Sequence, residues 1–254
     1  MTAPLHLLAG GPASDRRHVT RLLALALASA GCQAPAVAYV GAASGDNAAF
    51  IRRIAGLLTD AGAGQVALAP SYGPAVLPRF RGALDAARVV FISGGDVEAG
   101  MQTLHTVGTA PLLRQRFEAG VPFIGLSAGS IMLGHAWIAW RDADADTSAY
   151  VFPCLGLAPV ICDTHAEDDG WSELRFLAAR QPARTSVFGI TTPAMLRVHP
   201  NGRLEAIGGP IHRFEKRDEK VVRVAGLADA GYLRARRSEK GNPKDTKDFE
   251  GPTR

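Results

Sequence analysis

Residues 121–134 read V-P-F-I-G-L-S-A-G-S-I-M-L-G, and the order of residue types there decides how the rest of the chain is read. The apolar run 121–126 predicts a buried strand, and apolar residues after Gly129 recur at roughly helical spacing. Gly125-Leu126-Ser127-Ala128-Gly129 stands at the junction. A strand, a sharp turn and a helix with a serine at the apex make a nucleophile elbow. The two glycines have no Cβ, so the backbone bends tightly and its neighbours come close. Ser127 is then held out of the sheet at a helix N-terminus, where peptide N–H groups stabilise developing negative charge. Covalent acyl transfer is the chemistry that this pattern predicts.

Upstream, short apolar runs alternate with longer helical patterns. Strands are predicted at 5–9, 36–40, 65–69 and 89–93. Helices are predicted from a cap at Ser14 to about Ala30, over 47–61, over 78–87, and between Val97 and Gly120. This alternation predicts βαβ units, hence a mostly parallel sheet covered on both faces, a three-layer α/β/α sandwich. Ligands in such sheets bind beyond the carboxyl ends of the strands, where Gly94-Gly95-Asp96 and Leu126-Ser127-Ala128 both fall. After Gly134 the pattern changes to short strands, at 149–152, 160–162, 187–191, 195–199, 204–207 and 221–224, with a helix at 171–180. Turn signals at Pro200-Asn201-Gly202 and Gly208-Gly209-Pro210 predict hairpins. The C-terminal third is thus expected to extend the same sheet with antiparallel strands. A single domain is expected over residues 1–233, with a disordered polar tail over 234–254.

Composition removes several function classes. The chain has 254 residues, enough for a sizeable core. Its net charge is +4, but residues 234–254 hold seven Lys/Arg against four Asp/Glu, so the body is almost neutral and nucleic acid is not an expected partner. The apolar stretch 22–30 is far too short to span a membrane, and the N-terminus lacks the basic segment of a signal peptide. Cys32, Cys154 and Cys162 form no C-x-x-C pattern, which predicts neither a disulfide framework nor a zinc site and suits a cytoplasmic home.

A serine hydroxyl needs a base within hydrogen-bond reach, and the base needs a group that fixes its tautomer. Of seven histidines, His165 is the best candidate, because it follows the strand-like 158–162 run at the start of a polar loop. A plain surface-loop histidine is the bland alternative. His199 sits beside a hairpin turn, His212 in a polar strand, and His135 at the end of the elbow helix. Arg141-Asp142-Ala143-Asp144-Ala145-Asp146 supplies carboxylates between serine and histidine. As a cation loop the same stretch lacks both the oxygen ligands and the glycine turn that calcium wants. The oxyanion hole would use the N–H of Ala128 and that of Gly95 or Asp96.

Together these blocks resemble the dipeptidase E / cyanophycinase family of serine peptidases, on the class I glutamine-amidotransferase-like, flavodoxin-like fold. The resemblance rests on Phe91-Ile92-Ser93-Gly94-Gly95-Asp96, on Gly125-Leu126-Ser127-Ala128-Gly129, and on Leu155-Gly156-Leu157-Ala158-Pro159 leading to Asp163-Thr164-His165. It covers roughly residues 5–226. It implies a Ser-His-Asp/Glu triad acting on short peptides or isopeptides, with no metal or organic cofactor. Carried over, Ser127 is the nucleophile and His165 the base. Asp142 has the dipeptidase spacing for the acid, ranked just ahead of Asp144 with the cyanophycinase spacing.

The chain also departs from the family. Asp96 is followed by Val97, Ala166 replaces an aromatic after the histidine, and Thr191-Thr192 replaces an acidic residue after the Gly-Ile strand. Where cyanophycin-cleaving members carry arginines, this chain has Glu167, Asp168 and Asp169, with Arg175 only later. These positions make Glu167, Asp168 and Arg175 the candidate substrate contacts, and they point away from cyanophycin and from strict N-terminal-aspartate specificity. The open alternatives are an esterase or amidase of non-peptide substrates, and a binding protein that keeps the fold. A glutaminase would need a cysteine at the elbow. A homodimer is the oligomer such exposed sheet edges and helices would allow, although no residue points to it.

Overall fold

The structure is a computed structural model that describes residues 3–10, 15–142 and 144–230. The expected tail at 234–254 and the expected cap Ser14 lie outside the described residues. The chain runs β1 (Leu5–Ala9), α1 (Arg16–Leu27), β2 (Val37–Val40), α2 (Ala48–Asp60), β3 (Val66–Ala69), α3 (Val76–Ala86), β4 (Val89–Ile92), α4 (Val97–Val107) and α5 (Ala110–Glu118). It continues through β5 (Phe123–Leu126), α6 (Ala128–Leu133), β6 (Ala136–Trp140), β7 (Ala149–Pro153), β8 (Ile161–Thr164), α7 (Ser172–Ala179) and β9 (Ser186–Ile190). It ends with β10 (Ala194–Val198), β11 (Leu204–Ile207), β12 (Ile211–Arg217) and β13 (Lys220–Leu227).

The helices start where side chains satisfy their free N–H groups. Asp15 accepts from Arg17 N–H, Asn47 from Phe50 N–H, and Asp96 from Ala99 N–H. The main sheet has the order β11-β10-β1-β5-β4-β2-β3, and β1 to β5 are parallel. Alternation along each central strand divides the core. Val37, Tyr39, Val89 and Phe91 pack with α1 and α2 on one face, while Ala38, Val40, Val90 and Ile92 pack with α3 to α6 on the other. This is the expected mostly parallel, three-layer α/β/α architecture. The crossovers run outward from β1 to β3 and then back through β4 to β5, so the helices change faces. The face change falls between neighbours β1 and β5 and between β4 and β2, and β4 and β5, paired in register Ile92↔Gly125, end between those two points at the carboxyl edge of the sheet.

The C-terminal third departs from the expectation. Only β10 and β11 extend the main sheet, antiparallel to β1 and to each other. The strands β13-β12-β9-β8 form a second sheet, and β6 and β7 form a hairpin of their own. Besides β9, β8 packs on α6, where Cys162 Sγ lies 3.6 Å from Ser130 O, and just before β8 His135 N–H donates to Val160 O at 2.9 Å. Period-2 patterning reports which faces of a strand are buried and says nothing about which strand lies beside it. The strand β6, Ala-Trp-Ile-Ala-Trp, begins two residues after the six-residue helix α6, past Gly134-His135, and is not among the strands expected from the patterning.

Candidate active site

Ser127 has φ 54° and ψ −123°, outside the α6 helix that it precedes. That conformation costs on the order of 1–3 kcal/mol for a residue with a Cβ and persists only where the surroundings impose it. Here they do. Ser127 N–H donates to Leu8 O at 2.9 Å, Ser127 O accepts from Ser130 N–H at 2.8 Å, and the buried Ser130 Oγ donates to Leu8 O at 3.0 Å. The flanking glycines are required by space. A Cβ on Gly129 would lie 2.1 Å from Ile92 O, and one on Gly125 would lie 2.7 Å from Gly129 O.

The glycine turn after β4 packs against the serine, since a Cβ on Gly94 would meet Ser127 Cβ at 3.1 Å. Gly95 has φ 144°, and a Cβ there would sit 2.0 Å from Ala43 O. The two amides offered for the oxyanion hole separate at this point. Asp96 N–H donates to Ala43 O at 2.8 Å and its carboxylate caps α4, so Asp96 is a structural residue and the expectation of an oxyanion donor there is corrected. Gly95 N–H has no acceptor among the described residues, and Ala128 N–H opens α6, where no intrahelical acceptor exists.

His165 follows β8 with φ 65°. Its residue surface is exposed, while the ring is desolvated enough to hold the imidazole below its ordinary pKa, a shift that the Glu167 carboxylate opposes. The ring's Nδ1 lies 2.8 Å from Thr192 Oγ1. Ser127 Oγ makes no hydrogen bond to a described residue, His165 included. The two loops are nonetheless tied together, because the Cys162–Ser130 contact joins positions three residues from each.

Asp142, Asp144 and Asp146 are exposed on the loop of the β6–β7 hairpin. Asp142 Oδ1 accepts from Asp144 N–H at 3.1 Å, and Asp142 N–H donates to Ser148 Oγ at 3.0 Å. None of the three is hydrogen-bonded to His165, whose ring contact is Thr192. The carboxylate that acts on the ring is Glu167, which also accepts a hydrogen bond from Thr192 N–H.

Glu167 and Arg175, both expected substrate contacts, line one cavity of about 380 Å³ beside this loop, with Trp171, His212, Phe214 and Arg223. Asp168 is exposed and is not part of its wall. Arg223 lies against His212, Nη2 to Nδ1 at 2.5 Å, and burial together with that cation holds the His212 pKa down. Sequence reading passed over Thr192 as a contact of His165, although the Thr191-Thr192 pair marked the place where an acidic residue was missing. It also passed over Asp163, whose side chain is buried at the end of β8. Burial, helped by nearby Glu173, Asp169 and Glu167, pushes its pKa up to about 7. Burial likewise pushes Cys154 up to about 12, so it is a packing residue, and it raises Cys162 as well. Among the described residues no group of three or more His, Cys, Asp or Glu is placed to hold a metal ion, and no helix is long and apolar enough to cross a membrane.

The fold is an α/β sandwich with a strained serine at a strand-to-helix elbow packed against a glycine turn. Residues 5–202 match the family model Peptidase family S51, and the chain belongs to that family, the dipeptidase E family of peptidases. Among solved structures it is similar to a peptidase from an acI-B1 Actinobacterium, with TM-score 0.66 and 17% identity over 90% of this chain and 97% of that one. It is also similar to a protein from Listeria monocytogenes EGD-e described as a peptidase E, with TM-score 0.60 and 16% identity over 89% of this chain and 100% of that one. At that identity both likenesses speak for the fold. No curated protein sequence matches the chain.

Proposed function

We propose that this chain is a serine peptidase that cleaves small peptides or isopeptides through an acyl-enzyme, with Ser127 as nucleophile and His165 as base. The observation that carries the reading is the imposed φ 54°, ψ −123° at Ser127 with the free amides of Gly95 and Ala128 on either side. Ser127 Oγ attacks the scissile carbonyl carbon while His165 Nε2 takes its proton. The carbonyl oxygen becomes an oxyanion held by the Gly95 and Ala128 N–H groups, and one such donor is typically worth ~2.7–4 kcal/mol in the transition state. Collapse expels the amine, which takes the proton back from His165. Water then attacks the ester with the same base, releasing the acid and Ser127. The depressed His165 pKa leaves the ring neutral and able to accept a proton at pH 7. Glu167 and Arg175 in the wall of the neighbouring cavity offer an anion and a cation to the charged groups of a small peptide.

Two measurements test this. An active-site fluorophosphonate should label wild type and not Ser127→Ala, and a dipeptide library should be turned over by wild type only. Ester and amide panels run alongside separate a peptidase from a hydrolase of other acyl groups, which the same elbow serves equally. One observation favours a binding protein that keeps the fold, namely that Ser127 Oγ and His165 are not hydrogen-bonded. In that case neither labelling nor turnover is seen.

A further inference from the structure

We propose that Thr192, held by Glu167, is the positioning residue that sets the tautomer of His165, in place of a carboxylate hydrogen-bonded to the ring. This rests on the reading of His165 as the base. The placement follows from strand register. The parallel neighbours β8 and β9 pair Thr164 with Ile190, so His165 and the 191–192 segment leave the sheet side by side at the same end. That segment is the crossover from the second sheet to β10 of the main sheet, and it is tied at both sides. Thr191 Oγ1 donates to Pro210 O at 2.7 Å, and Ala194 N–H donates to Thr191 O at 2.6 Å. Thr192 Oγ1 then meets His165 Nδ1 at 2.8 Å, and Thr192 N–H donates to the Glu167 carboxylate.

A hydroxyl can donate or accept, so by itself it does not choose a tautomer. The anion does. Negative charge on this side of the ring favours the form whose proton sits on Nδ1, and that form leaves the Nε2 lone pair for the serine proton. Glu167 is the charged group acting on the imidazole from its own loop. Arg175 of α7, His212 of β12 and Arg223 of β13 line the same cavity and face Glu167 from the other elements. A neutral hydroxyl stabilises the imidazolium less than a contacting carboxylate does. The base is therefore expected to stay deprotonated further into acid than a histidine hydrogen-bonded to a carboxylate, and burial of the ring acts in the same direction.

The test combines ¹⁵N-histidine NMR with fluorophosphonate labelling rates from pH 5 to 9, on wild type, Thr192→Val, Thr192→Ser and Glu167→Gln. In wild type, neutral His165 is expected as the Nδ1–H tautomer, and in Thr192→Val as a mixture with Nε2–H. Thr192→Val should slow labelling about 10- to 100-fold, and Thr192→Ser should restore it to within about threefold. Glu167→Gln keeps an acceptor for Thr192 N–H and removes the charge, so the acid limb of the rate profile should move to lower pH. An unchanged tautomer and rate in Thr192→Val overturn the proposal, as does a serine variant that fails to rescue. If no form labels, wild type included, the hydrolase reading fails, while the NMR tautomer still decides the positioning claim on its own.

Discussion

The two halves of the candidate site are built by different means. The elbow is a local object. Residues 125–130 close on the ends of β1 and β4, and their geometry is dictated by two missing Cβ atoms and three hydrogen bonds to Leu8 O and Ser127 O. The histidine side is assembled from distant pieces, with the ring from the loop after β8, its partner Thr192 from the β9–β10 crossover, and the carboxylate Glu167 reaching across both. One half draws its chemistry from six consecutive residues, packed against Leu8 O and Ile92 O of the neighbouring strands. The other exists only because β8 and β9 pair in one register.

Four experiments sharpen or break that contrast. The largest effect belongs to the elbow: Ser127→Ala should lower turnover and labelling by about 10⁴-fold or more, with the melting temperature preserved or raised because alanine keeps the backbone and loses only an unbonded hydroxyl. Activity within tenfold of wild type would move the chemistry away from this residue.

The second concerns stability at the histidine side. Asp163 has its folded pKa raised to about 7 from an ordinary 3.8. Below the lower value both states are protonated, and between the two the unfolded chain releases its proton first. Wild type therefore loses stability from this group as pH rises from about 4 to 7, at ~1.4 kcal/mol per pKa unit. Asp163→Asn keeps an acceptor for Thr164 N–H and cannot ionise. Its gain over wild type in denaturant unfolding should be near zero at pH 4, grow to a few kcal/mol by pH 7, and stay flat above. A gain that does not depend on pH would show that Asp163 ionises freely. His6 acts with the opposite sign. Burial lowers its pKa to about 3, so both proteins weaken together as pH falls from 6.5.

Third, Gly129→Ala puts a methyl 2.1 Å from Ile92 O. Overpacking of this kind costs about 1–3 kcal/mol or more, and each kcal/mol lowers Tm by about 2–4 °C in a chain of this size. A Tm within 1 °C of wild type would mean that the elbow is looser than its contacts imply. The smallest effect is expected from Asp142→Asn, whose carboxylate serves only its own hairpin. Turnover should change less than about threefold and stability by less than ~0.5 kcal/mol. A loss of a thousandfold would restore Asp142 as the group that orients His165 and would put the hairpin, and not Thr192, behind the base.

Much of the fold was legible in the chain. The parallel strands, the amphipathic helices and β11 at residues 204–207 stand where the patterning puts them, because burial on one or two faces imposes a period that the residue types must follow. The placement of the C-terminal strands was not legible, because alternation carries no address. Within the site, Ser127 and the need for Gly125 and Gly129 could be read from type and spacing. The commitment of the Asp96 amide to Ala43 O could not, since the acceptor lies more than fifty residues away in the chain.

What residue order alone made legible is the Gly-Leu-Ser-Ala-Gly turn and the layered sheet that carries it, because residue type and hydrophobic periodicity are properties of neighbours along the chain, while the contacts with Leu8 and Ile92 that hold the bend are tertiary. What only the tertiary structure decided is the company that His165 keeps. A hydroxyl from the β9–β10 crossover stands at its ring and the aspartates of the hairpin do not, because strand pairing brings together residues that no local pattern connects.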